Sequence, residues 1–102
     1  MLSAYKKKNM KLLEATEAIE SLNQEETLYV KLPWTPESEV ALRIEDEDAT
    51  VSTPLDLKEK GYEYFLEVYL TKEFKEDLLE TGKYNTEIDI CNRIIQYAIN
   101  DA

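Results

Sequence analysis

Residues 62–70 constrain the fold most, because apolar and aromatic side chains recur there at every second position. One face of an extended chain would carry Tyr62, Tyr64, Leu66, Val68 and Leu70. The other face mixes Phe65 and Tyr69 with the acids Glu63 and Glu67. A period of two with this density of aromatic and branched residues is typical of a strand. The stretch therefore predicts a β-strand whose mixed face is either covered by the fold or contacts a partner.

The remaining elements follow from the same kind of periodicity. In chain order we expect a helix over 10–23, strands over 28–32 and 40–45, a short helix over 55–60 begun by Thr53 and Pro54, a helix from a Thr71 cap to Gly82, and a last helix capped by Asn85 or Thr86. Because a small sheet leaves a face bare, helices must cover it. The sequence predicts an α+β fold of order α-β-β-(α)-β-α-α, with a small antiparallel sheet of about three strands and helices packed mainly on one face.

The chain length sets the number of domains. With 102 residues the protein can build one ordinary core. We expect residues 10–102 to form a single α+β domain. Residues 1–9, which include Lys6, Lys7 and Lys8, are expected to be a flexible arm or an upstream extension.

The charge balance excludes some partners. There are 22 acidic and 12 basic residues, which gives a formal net charge of −10. Phosphates would be repelled, so binding to nucleic acid or to an anionic membrane is not expected, whereas a basic protein partner is compatible. Since no apolar run approaches the roughly 20 residues that span a bilayer, we expect a soluble, cytoplasmic protein. The broad apolar stripe of the last helix also leaves pairing with a second copy open.

The residue inventory argues against catalysis. The chain has no histidine, one cysteine (Cys91) and two glycines, so it lacks the usual general base, a disulfide and a glycine-rich phosphate loop. A calcium site at Asp46 and Asp48 is a weak alternative, because the central glycine and distal glutamate of a calcium loop are missing. We therefore expect no enzyme activity, no cofactor and no metal.

Residues 34–48 are the candidate partner-binding segment. They combine a tryptophan between two prolines with six acids against one arginine in 37–48, which leaves a local charge of −5. Tryptophan is common at binding hot spots, and clustered charge speeds association with an opposite surface. The alternatives are that the tryptophan belongs to the core and that the acids only form a solvated loop. The candidate residues are Trp34, Glu37, Glu39, Glu45, Asp46, Glu47 and Asp48.

Three short motifs carry a resemblance to a known class of proteins. They are L-P-W-T-P at 32–36, I-E-D-E-D at 44–48 and G-Y-E-Y-F-L-E-V at 61–68. In these motifs the chain resembles small acidic bacterial domains associated with polymorphic-toxin loci. In size and charge it is similar to the immunity proteins of contact-dependent growth inhibition and related toxin systems. The resemblance implies a cytoplasmic inhibitor that binds and neutralises one cognate toxin domain, often a basic nuclease. The alternative is a phage or mobile-element polyanion mimic that inhibits a nucleic-acid-binding defence protein.

Overall fold

The computed structural model describes residues 10–44 and 53–101. The elements are β1 (Met10–Lys11), α1 (Leu12–Glu17), a 3₁₀ helix (Ile19–Ser21), β2 (Glu26–Lys31), β3 (Glu39–Ile44), α2 (Leu55–Glu59), β4 (Tyr62–Glu67), α3 (Val68–Thr81) and α4 (Glu87–Asp101). The strands form one antiparallel sheet in the order β1-β3-β2-β4. The predicted α+β class is confirmed, with four strands in the described residues where about three were expected.

Three helices cover one face of the sheet. Leu28, Val30 and Val40 project from this face into a core that α1, α3 and α4 complete. The helices contribute mainly aliphatic side chains, namely Leu12, Ala15, Val68, Leu78, Ile90, Cys91, Ile94, Ile95 and Ala98. Helix α4 presents one buried apolar stripe, as expected, but Ile88 and Ile99, which the sequence pattern assigns to it, are exposed, and Ile90 is buried instead.

The first element differs from the prediction of a helix over 10–23. Met10 and Lys11 instead pair with Val40 and Glu39 as the short strand β1. The N–H of Leu12 donates to the carbonyl of Ser38, the residue before β3, at 2.8 Å. The hydrogen bonding between β1 and β3 therefore extends into the first residue of α1. The Glu14 carboxylate accepts the Lys11 N–H at 2.9 Å and marks the beginning of α1.

A β-bulge in β4 changes which side chains are buried. Tyr64 pairs with Tyr29 and Leu66 with Leu28, so Phe65 has no opposite residue on β2. The extra residue interrupts the alternation, and Phe65 and Leu66 both enter the core. The question left open by the mixed face is thereby answered for Phe65, which is covered by the fold.

The strand predicted over 62–70 is too long, because β4 ends at Glu67 and α3 begins at Val68. Glu67 pairs with Thr27, and β2 offers only Glu26 beyond it, so further strand residues would have no ladder partner. A helix satisfies those backbone groups internally. Thr71 is therefore not a cap: it is buried within α3 and donates its hydroxyl to the Glu67 carbonyl at 3.0 Å.

The predicted C-terminus of α3 and the predicted N-terminus of α4 are confirmed. Gly82 ends α3 in the left-handed region at φ 73°, where its N–H donates to the Leu79 carbonyl. Thr86 accepts the Asp89 N–H at 3.2 Å and so is the cap of α4, rather than Asn85.

The opposite face of the sheet carries α2. Tyr29 is buried there and meets the ring of Tyr64 edge to face, with centroids 6.4 Å apart. Arg43, which shares this face with Tyr29, binds Asp56 at 2.8 Å and so ties α2 to β3. The Arg43 guanidinium lowers the pKa of Asp56 by hydrogen bonding to its carboxylate.

Thr53 acts differently from the expected helix start. The residue before α2 is Pro54, which lies in extended backbone geometry, and no side chain caps the helix. The Thr53 hydroxyl instead accepts the N–H of Tyr64 at 3.0 Å. It thus satisfies a backbone donor on β4, which pairs with β2 alone and is an edge strand of the described sheet.

A buried lysine joins the three core-side helices. Lys75 of α3 is 9% exposed, and its ammonium donates to the Thr16 carbonyl of α1 at 2.8 Å. The same ammonium lies 3.2 Å from Oε1 of Glu87, in the first turn of α4. That carboxylate oxygen is buried and makes no hydrogen bond of good geometry within the described residues, so the ion pair is its compensation.

Lys75→Met should lower the free energy of unfolding by about 1–3 kcal/mol, because it leaves the Thr16 carbonyl and the Glu87 carboxylate uncompensated. Lys72→Met is the matched control on the same helix, since Lys72 makes only an exposed pair with Glu76. Its expected change is within about 0.5 kcal/mol. Urea unfolding of the two variants measures the difference, and equal stabilities would show that the buried ion pair does not hold the helices together.

Candidate functional site

Trp34 is a structural residue of the fold. Its indole N–H donates to the Val30 carbonyl at 3.0 Å, and its ring meets Phe65 edge to face with centroids 5.0 Å apart. The side chain is half-buried against the core cluster. This is the packing role that the sequence left as the alternative to a binding anchor, and the bulge at Phe65 makes it possible.

The loop around Trp34 is fixed by hydrogen bonds. The Ser38 hydroxyl donates to the Pro33 carbonyl at 2.8 Å and accepts the Thr35 N–H at 2.9 Å. The Leu13 N–H donates to the Pro36 carbonyl at 2.9 Å and ties the loop to α1. These hydrogen bonds hold the loop in place between the end of β2 and α1.

Glu37 and Glu39 are paired with lysines. Glu37 binds Lys11 at 2.8 Å, and this hydrogen bond raises the pKa of the Lys11 ammonium. Glu39 lies 3.6 Å from Lys31 and accepts the hydroxyl of Tyr62 at 3.3 Å. Burial, followed by the Glu39 charge, raises the pKa of Tyr62. Because each carboxylate faces a cation, neither adds an uncompensated charge to the surface.

The rest of the candidate segment is the acidic run of Glu45, Asp46, Glu47 and Asp48, which lies outside the described residues. The structure brings Trp34, Glu37 and Glu39 to the same end of the sheet, where Trp34 packs on the core and the two glutamates make exposed ion pairs. The participation of all these residues in partner binding stays a prediction.

An acidic surface that the sequence reasoning missed lies on α3. We call it the α3 outer face and define it by Tyr69, Glu73, Glu76, Asp77 and Glu80, all of which are exposed. The spacing of three and four residues puts them on one side of the helix, over about 16 Å of its length. The buried residues of α3, namely Val68, Thr71, Lys75 and Leu78, lie on the other side.

The charges on the α3 outer face are largely uncompensated. Lys72 binds Glu76 at 3.5 Å, whereas Glu73, Asp77 and Glu80 have no ion-pair partner in the described part of the chain. Four acids against one lysine leave a local charge of −3. A pair of like charges four residues apart, such as Glu73 and Asp77, destabilises a helix by about 0.2–0.5 kcal/mol.

One acid of this face is also placed unfavourably for the helix itself. The first turn of α3 has no acidic residue and the last turn has no basic one. A helix carries partial negative charge at its C-terminus, and the effect is felt within about the last turn, so Glu80 opposes the macrodipole. Helix stability therefore does not account for an acid at this position.

Tyr69 is 47% exposed at the N-terminal end of the same face. The sequence placed it on a strand beside Phe65, but the bulge and the early start of α3 separate the two residues. The signal that could have located it is the helical spacing of Tyr69, Glu73, Glu76 and Glu80.

The one cysteine of the chain, Cys91, lies in the core. Cys91 is fully buried, and burial raises the pKa of its thiol, so the thiol stays protonated at neutral pH.

None of the helices in residues 10–44 and 53–101 has the length and apolar character needed to cross a membrane.

Comparison with known proteins gives no match, either to a family model, to a curated protein or to a solved structure.

Trp34→Ala should lower the free energy of unfolding by about 2–4 kcal/mol, because it removes a large ring packed on Phe65 and leaves the Val30 carbonyl without its donor. Trp34→Phe keeps an aromatic contact and should cost about 1 kcal/mol. Tyr69→Ala is the matched control at an exposed aromatic, with an expected change within about 0.5 kcal/mol. If chemical denaturation shows Trp34→Ala to be as stable as the Tyr69 variant, Trp34 is free to serve a partner instead.

Proposed function

We propose that the protein is a non-catalytic immunity protein that binds and neutralises a cognate basic toxin domain through an acidic surface. The observation that carries the proposal is the α3 outer face, where four exposed carboxylates, three of them without an ion-pair partner in the described residues, lie in a row next to an exposed tyrosine. The same function is supported by the net charge of −10, by the resemblance of the three sequence motifs to domains of polymorphic-toxin loci, and by the similarity in size and charge to immunity proteins. The site of action would be the cytoplasm.

The electrostatics of a nuclease toxin suit such an inhibitor. A protein that binds polyanions presents a cationic surface to its substrate. An acidic surface of several uncompensated carboxylates is steered to that region and can shield it from nucleic acid. Steering speeds association and selects partners, but adds less to affinity.

An apolar contact would supply the affinity. Tyrosine offers a large, rigid contact area with a hydroxyl at its tip, and it is enriched at binding hot spots. Tyr69 stands at the end of the acidic row on α3, so a partner that covers the row also covers its ring. With Trp34 held by Val30 and Phe65, Tyr69 is the aromatic residue of the described surface that best fits this role.

Reversing the charges of the α3 outer face with Glu73→Lys, Asp77→Lys and Glu80→Lys should slow binding without lowering stability. Lysines near the C-terminus of a helix interact favourably with the macrodipole, so the free energy of unfolding should stay unchanged or rise by up to about 1 kcal/mol. The association rate with the cognate toxin domain should fall by about tenfold or more at low salt and lose its salt dependence. Stopped-flow kinetics at two salt concentrations measures this.

A matched control changes the net charge by the same amount elsewhere. Glu20, Glu25 and Glu59 are exposed and have no ion-pair partner among the described residues, so their triple change to lysine alters the total charge equally. If both variants slow association to the same extent, only the net charge matters and the α3 outer face is not the docking site. A further variant with Glu45, Asp46, Glu47 and Asp48 changed to lysine tests the acidic run in the same way.

The proposed function itself is tested in cells with the product of the adjacent gene. That product should stop growth when expressed alone, and co-expression of this protein should restore growth through a stoichiometric complex. A catalytically dead form of the toxin should still bind, because inhibition needs only contact. If the adjacent product is harmless, or if this protein instead competes with DNA for a general nucleic-acid-binding protein, the immunity function is wrong and a polyanion mimic is favoured.

A further inference from the structure

We draw no further inference here: the strongest candidate, the exposed stripe of Ile88 and Ile99 along the outer side of α4, carries none because nothing in residues 10–44 and 53–101 shows what covers it.

Discussion

The direct passage from β4 into α3 sets the geometry of the core side of the sheet. Glu67 is the last residue of the strand and Val68 the first of the helix, so no loop separates them. The rotation of α3 about its axis is therefore fixed by the sheet. Val68 and Lys75 are buried on the core side of α3, where Lys75 contacts α1 and α4, and the five residues of the α3 outer face are exposed. The same junction thus determines both the packing of the helices and the position of the acidic surface.

Within the described residues, charged side chains are paired on the inner side of α3 and mostly unpaired on its outer side. On the inner side, Lys75 is compensated by a carbonyl of α1 and a carboxylate of α4, as a buried ammonium requires. On the outer side, acids such as Glu73 and Asp77 repel one another, and Glu80 opposes the helix macrodipole in the last turn. The acids on the outer side that have no ion-pair partner in the described part of the chain are the basis of the proposal that this surface binds a partner.

Local patterns in the sequence were enough to predict the fold class, two of the strands and the end of α3 at Gly82, and they narrowed the cap of α4 to Asn85 or Thr86. They failed at Val68 and Tyr69, because these residues fit both a strand period and a helix period. Only the end of β2 decides between the two. The role of Trp34 depends on a bulge at Phe65, and the pairing of Glu37 depends on Lys11, 26 residues away. Such long-range contacts leave no local signal in the sequence.

NMR chemical-shift mapping with the proposed toxin partner tests most directly whether the α3 outer face is the binding surface. Backbone amide resonances of the free and bound protein would be compared residue by residue. We expect the largest perturbations at Tyr69, Glu73, Glu76, Asp77 and Glu80, with small changes in the loop around Trp34. Perturbations that leave these five residues unchanged and concentrate on another surface would contradict the assignment.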